Sequence, residues 1–418
     1  MNRLRQLWWA AAKFFDLARH LSAVRDERTD PRISAPVLTT SLLLGALLRL
    51  PSFFQLEAET RRRGWQRLLG RSKPISDDTF GYGLEHARLE DLRQLLVATN
   101  QSLKRAKAFT AAKINGLLVV ALDGNEQFKS RARCCPDCSE RQIKVTQKDG
   151  QIIEVTEYYH RHVYAQLPGP NLSVLLDLEP IRPREEEAGA ALRLLGRIRR
   201  LYGPRFFDVV AVDAWYSTGP FLKAVQRLGW GVVSVLKQER YEIYQEATAL
   251  TKDQAPQHYQ WEDRKVRLWE AKDLPFTDEA IGLIRVVLAQ EQWPQAKRIG
   301  RHKEVKDQQS HWRWLVSPEL DAYPAPVIWQ IGHRRWGIEN HAFNELTQHY
   351  HLEHCPHHHP VAIVAWLLIL VLAFNVFEWF SRLHCKLCRM GRTTLQELAR
   401  QLYLGLARWE ELDLLWSG

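Results

Sequence analysis

The chain has 418 residues, 45% hydrophobic and 25% charged, which excludes a disordered chain, a collagen-like chain and a multi-span membrane protein. Lys plus Arg outnumber Asp plus Glu by 58 to 48, a basic balance that favours polyanionic partners. Six cysteines are too few for a disulfide-built scaffold, and their grouping points instead to a metal or to reduced thiols in a cytosol.

Residues 1–113 hold 20 Lys and Arg against 11 Asp and Glu, almost the whole positive excess. Arg61, Arg62 and Arg63 stand in a row there. Apolar residues recur at helical spacing, as in Leu84, Leu89, Leu92, Leu95 and Leu96, and Ser76-Asp77-Asp78-Thr79 has the polar cap and early acids of a helix start. The segment reads as a basic, helical, DNA-binding domain. The apolar run near the N-terminus is cut by Lys13 and Asp16, short of a signal sequence.

From residue 114 the pattern becomes α/β. Leu117 to Leu122 is an apolar run closed by Asp123, and Phe207 to Val212 is a second one closed by Asp213. Between them lie strands at Val163–Leu167 and Leu172–Leu178 and an amphipathic helix at Glu185–Leu201. Helix Gly219–Leu228 and strand Gly231–Leu236 follow, so the first core segment spans 114–237. The order predicts a mixed sheet covered by helices. A loop at 130–162 carries Cys134, Cys135 and Cys138, then His160 and His162. Such a set suits tetrahedral Zn²⁺ held by Cys135, Cys138 and His160 with Cys134 or His162, and it also suits reduced thiols in a loop.

Residues 238–322 read as a β-rich insertion of short strands, among them Val266–Trp269 and Trp312–Val316. Helix returns over 323–380, first around Glu339 and then from Pro360, where a charge-free run is long enough to cross a bilayer. Asn375 interrupts that run, and we expect a buried core helix. Residues 381–418 close the chain with helices. His349, His351, His354, Cys355, His357, His358 and His359 read as a polar turn before the apolar helix, near phosphates and without metal.

Three stretches give the chain a family resemblance: LVVALDGNE around Asp123, DVVAVDAWYSTGPFLKAV around Asp213, and HRRWGIENHAFNEL around Glu339. The chain resembles the DDE transposases of bacterial insertion sequences, in the subgroup with a β-rich insertion between the second Asp and the Glu. The resemblance implies an RNase H-like core in which Asp123, Asp213 and Glu339 are catalytic and hold two Mg²⁺ (or Mn²⁺) ions. It implies cleavage of element ends and joining of the 3′-hydroxyl to target DNA, with double-stranded terminal inverted repeats and target DNA as partners. A homodimer in the DNA complex, a location in the bacterial cytosol with the nucleoid, and no membrane follow from it. Arg335, Trp336 and Asn340 join Arg61, Arg62 and Arg63 as expected DNA contacts. The fuller family signature has a tyrosine and a lysine where this chain has Gly332 and Leu346. A catalytically inactive, transposase-derived DNA-binding protein is the alternative reading.

Overall fold

The computed structural model describes residues 2–237, 239, 241–276, 281–299 and 302–414. Gln238, where the insertion is expected to begin, and the last four residues of the C-terminal segment lie outside them. In chain order the elements are α1 (Arg3–Phe15), α2 (Leu17–Ser22), α3 (Ala35–Leu47), α4 (Phe53–Thr60), α5 (Arg63–Leu69), α6 (Asp77–Glu85) and α7 (Leu89–Arg105). Then come β1 (Val119–Ser130), β2 (Ser139–Thr146), β3 (Ile152–Leu167), β4 (Val174–Ile181), α8 (Glu187–Tyr202), β5 (Val209–Val212), α9 (Gly219–Arg227) and β6 (Gly231–Val235). After these run α10 (Glu242–Thr251), β7 (Gln257–Trp261), β8 (Arg264–Pro275), β9 (Leu283–Ile299) and β10 (His302–Val316). The chain closes with α11 (Ala325–Arg334), α12 (Asn344–His349), α13 (Pro360–Trp379), α14 (Lys386–Arg389) and α15 (Leu395–Leu414). The fold is mixed α/β, an open and mostly antiparallel sheet flanked by helices, as in RNase H-like proteins.

Two compact units divide the chain. A helical unit takes residues 1–111, 124–194 and 339–418, and a sheet unit takes 112–123 and 195–338. The helical unit is organised by α13. That helix is apolar on every face, so it needs cover all round. It gets this from α3, α6, α7 and β4, and Ala362 to Trp379 are all buried. The basic N-terminal helices therefore share a core with the apolar helix. Asn375 in the middle of α13 is matched by protein hydrogen bonds. Its Oδ1 accepts from Leu175 N at 2.9 Å, and its Nδ2 donates to Leu175 O at 2.7 Å and to Asn100 Oδ1 at 3.1 Å. A buried amide without those partners would cost about 1–3 kcal/mol.

Residues 130–162, expected as a loop, are mostly an antiparallel hairpin of β2 and β3, with Ser139 opposite Tyr159 and Thr146 opposite Ile152. Its apolar residues alternate with many charged ones on a largely exposed ribbon, so no buried stripe marked it in the sequence. Beyond the hairpin β4 pairs with β3, and β3 neighbours β1.

In the sheet unit β1, β5 and β6 run parallel, and β10, β9, β8 and β7 continue the sheet antiparallel. Strands covered on both faces need continuous apolar runs. Val209 to Val212 and Gly231 to Val235 are buried throughout. The insertion is not wholly β, because α10 precedes its strands and packs on β8. α11 buries Ile328, Trp329 and Ile331 in the core formed by Val119, Val209, Val233 and Val287.

Glu291 ties the insertion to α11. It is fully buried on β9 and accepts from Arg264 Nη1 at 2.7 Å and Trp329 Nε1 at 2.8 Å, and its Oε1 lies 2.6 Å from His333 Nε2. Burial alone pushes its carboxyl up, but the hydrogen bond and charge of His333, with Trp329 and Arg264, hold it below the ordinary value of 4.5. Its stabilising contribution is thus complete above that value and is lost as pH falls through the lower folded-state one. Glu291→Ala strands four partners, Ser310 Oγ at 3.3 Å being the fourth, and we expect it to cost about 3–5 kcal/mol in urea unfolding. A loss under 1 kcal/mol would show the cluster to be unimportant.

Candidate active site and metal centre

Asp123 and Asp213 stand at equivalent points of neighbouring parallel strands. Val119 pairs with Val209 and Ala121 with Ala211, so two further residues along each strand lead to Asp123 and Asp213. Both carboxylates thus lie on the same face of the sheet, because strand side chains alternate with a period of two, but only Asp213 follows the end of its strand; Asp123 lies within β1, which runs on to Ser130 instead of ending at the acid. Each is half-buried. A cation already sits by each acid: Arg335 Nη1 lies 3.4 Å from Asp123 Oδ2, and Lys237 Nζ lies 3.2 Å from Asp213 Oδ2. Asp213 also caps the short turn Ala214–Tyr216 through the Ala214 amide, and its carbonyl accepts from Ser234 Oγ at 2.9 Å.

Arg335 ends α11 and is almost fully buried. Expected as a DNA contact, it is paired here with Asp123. Gly332, one turn earlier, explains the missing tyrosine. A Cβ there would come within 2.2 Å of Trp314 Nε1, so the buried indole takes the place of a side chain. Leu346, in place of the lysine, is fully buried. Glu339 is exposed and lies where the chain passes from the sheet unit into the helical unit. It stands in a π-helical segment, Ile338–Phe343, a widened turn that often marks functional positions.

Among the other expected DNA contacts, Arg61, Arg62 and Arg63 are exposed. Arg61 pairs with Glu57 at 2.5 Å, a surface pair that exchanges cheaply for a phosphate, whereas Arg62 lies 2.8 Å from Glu59, which is itself buried and also accepts from Tyr403 Oη. Asn340 is exposed. Trp336 is half-buried, packed edge-on to Trp312 at 4.6 Å and near His333 at 5.1 Å.

The helical unit holds a second constellation. Cys135, Cys138, His160 and His358 bring one ligand atom each to within 4.8 Å of one another. Cys135 Sγ lies 3.7 Å from Cys138 Sγ, His160 Nε2 lies 3.5 and 3.3 Å from the two sulfurs, and His358 Nε2 lies 3.3 Å from Cys138 Sγ. A tetrahedral Zn²⁺ with bonds of about 2.3 Å to sulfur and 2.0–2.1 Å to nitrogen would set sulfurs about 3.8 Å apart and sulfur to nitrogen about 3.6 Å. The four residues fit a metal of that kind. Burial pushes the Cys138 thiol up to about 12 and, with His358 beside it, brings His160 down to about 4. The imidazole is thereby kept neutral, as a ligand must be.

Cys134 is exposed and outside this set. His162 is buried behind His160, with ring centroids 6.3 Å apart. The fourth position falls to His358, in the histidine-rich turn where the sequence leads one to expect no metal. That turn makes contacts with its own unit: His357 Nε2 lies 2.6 Å from Glu85 Oε1, and His351 Nε2 lies 3.3 Å from the Arg49 carbonyl. The only available signal for His358 was compositional, since it stands 198 residues from His160, beyond any spacing rule.

Residues 174–376 match the transposase DDE domain family, a span that includes Asp213 and Glu339 and starts after Asp123. No curated protein sequence matches the chain. Among solved structures, a cryo-EM synaptic complex of piggyBac transposase with hairpin DNA is similar over 96% of this chain and 78% of its own, at 13% identity and a TM-score of 0.41. The chain carries the fold of the DDE, RNase H-like transposase superfamily.

Proposed function

We propose that the protein is a DNA transposase that cuts the ends of an insertion sequence and joins the freed 3′-hydroxyls to target DNA. The observation that carries this reading is the shared register of Asp123 and Asp213 on parallel strands, with Asp213 and Glu339 inside the matched family segment. Hard oxygen donors of this kind suit Mg²⁺ or Mn²⁺, and Asp123, Asp213 and Glu339 are the residues that would hold two such ions. When bound, the ions activate the attacking oxygen and stabilise the leaving one. Arg335 and Lys237 balance the two aspartates and keep their carboxylates in place until metal and DNA arrive. The zinc reading applies to Cys135, Cys138, His160 and His358, whose spacing supports a structural ion. The protein acts in the bacterial cytosol as a homodimer on double-stranded ends.

The test is incubation with DNA carrying the element's ends and a circular target, in Mg²⁺ and in EDTA. Joined products that need the divalent ion are expected. Binding without cleavage would favour the inactive DNA-binding protein instead.

DNA binding draws on the positive face of residues 1–113. Those helices share a core with α13, so deleting them would expose it, and surface substitution is the better test. Arg61→Ala, Arg62→Ala and Arg63→Ala together should weaken binding to all DNA sequences alike. The slope of log affinity against log salt should become shallower by about 2.7, at about 0.9 per phosphate contact. An unchanged slope would remove these arginines from the interface.

A further inference from the structure

Glu378 is the only charged residue in α13, a helix otherwise apolar on every face. It is 1% exposed. Burying a carboxylate is costly unless basic groups and hydrogen bonds face it, so an acid kept there has to serve a contact. Two basic side chains reach it. His341 Nε2 lies 3.5 Å from its Oε1, and Arg382 Nε lies 3.6 Å from its Oε2. Arg382 stands four residues further along the same stretch of chain and ties Glu378 to nothing beyond it. His341 comes from a different element. No hydrogen bond reaches Glu378 Oε1 among the described residues, which leaves His341 as the group that faces it.

His341 stands in the π-helical segment Ile338–Phe343, two residues after Glu339. Residues two apart on a helix do not share a side. Glu339 is exposed, whereas His341 turns inward, its ring edge-on to Phe374 of α13 with centroids 5.7 Å apart. A widened turn of this kind is rare, so its geometry needs support from outside the turn. Ala342 and Phe343 are buried and hold it by apolar burial, which has no direction of its own. The contact from His341 to Glu378 adds direction, on the side of the turn away from Glu339.

We propose that Glu378 is a positioning residue for Glu339. Through His341 it fixes the π-helical turn from its inner side, and thereby the direction in which the Glu339 carboxylate is offered to a divalent ion. This deepens the transposase reading above and rests on it.

The test compares the wild type with Glu378→Met, Glu378→Gln, Arg382→Ala and the double variant His341→Ala with Glu378→Met. Met is close to Glu in size and suits the apolar helix. Glu378→Met should therefore keep or raise the unfolding midpoint, because a well-packed apolar residue in place of a buried charge is often neutral or stabilising. Two quantities are read: Mn²⁺ affinity of the protein alone, from the electron paramagnetic resonance of the free ion, and Mg²⁺-dependent nicking of element ends. Groups that support a metal ligand from behind are worth about 10- to 100-fold in metal affinity or activity. Glu378→Met should weaken Mn²⁺ binding by such a factor, raise the Mg²⁺ needed for half-maximal nicking alike, and leave affinity for the ends unchanged. Glu378→Gln keeps an acceptor for His341 and should recover most of the loss. Adding His341→Ala to Glu378→Met should cost nothing more, since the two act through one contact. Arg382→Ala should behave as the wild type. Wild-type Mn²⁺ affinity in Glu378→Met, or an equal loss in Arg382→Ala, overturns the positioning role while leaving the transposase reading standing. A fall in the unfolding midpoint that tracks the lost metal affinity would make Glu378 purely structural and overturns it too. If the wild type fails to nick intact ends, the transposase reading falls and this inference falls with it.

Discussion

Asp213→Ala is expected to abolish both nicking and joining, by roughly three or more orders of magnitude, while leaving binding of the element ends nearly unchanged. Asp123→Ala and Glu339→Ala should behave alike. Each metal in such a site draws charge from more than one carboxylate, so removing any one acid disables the set. Double replacements should then cost little more than single ones, because groups that act as a unit are not additive. Ca²⁺ should support binding and little chemistry, since its looser, higher coordination fixes the reacting oxygens poorly. The Asp123 and Asp213 variants have a structural side effect that needs a control. Each leaves a cation without its present carboxylate partner, Arg335 in one case and Lys237 in the other. Lys237 is more than half exposed and can turn to water, whereas Arg335 is almost fully buried. Asp123→Ala should therefore also lower the unfolding midpoint, and Asp213→Ala should lower it less. Asp123→Asn keeps the shape and serves as the check on activity. Equal midpoints for the two alanine variants would argue against a stabilising Arg335–Asp123 pair.

The second large effect concerns the cysteine–histidine centre. The purified chain should hold one Zn²⁺, and Cys138→Ser or His358→Ala should release it. Cys134→Ser should retain it, because Cys134 is exposed and outside the set. Structural zinc contributes about 10–16 kcal/mol in small zinc peptides, and some fraction of that applies to a site embedded in a larger unit. A fall of several degrees in the unfolding midpoint is expected on chelation. The ion would join the start of the β2–β3 hairpin to the turn that leads into α13, so its loss should first loosen both. Zinc should leave as pH falls, since protons compete for the two sulfurs. Metal analysis after dialysis, with thiol titration of the native chain, checks this. Zinc retained by His358→Ala but lost by His162→Ala would return the fourth position to His162.

Much of the sheet unit could be read from the sequence because parallel, doubly covered strands leave a plain mark. Val119 to Leu122 and Val209 to Val212 are apolar throughout, and an acid closes each. That both acids fall at one register was not legible, since register is set by pairing between strands 90 residues apart. Expectation and structure part at several points, each for a physical reason. The β2–β3 hairpin is mostly solvated, so its charges hid its alternation. His358 is a ligand by tertiary proximity, and no local spacing announces it. Trp9 is 68% exposed although it is large and apolar, because α1 turns Leu4, Leu7 and Ala11 inward instead. The long apolar run at Pro360, by contrast, forms the expected buried helix, and Asn375 finds its partners on α7 and β4.

The measurement that bears most directly on the transposase reading is Mg²⁺-dependent nicking of end-carrying DNA by the wild type, Glu339→Ala and a control on the neighbouring helix. Glu345 is unsuitable as that control, because it holds Arg49 at 2.6 Å and its loss would disturb folding. Gln348 on α12 is exposed, so Gln348→Ala is the proper comparison. We predict nicking by the wild type and Gln348→Ala, with none by Glu339→Ala although it binds the ends normally. Full nicking by Glu339→Ala would contradict the three-acid mechanism.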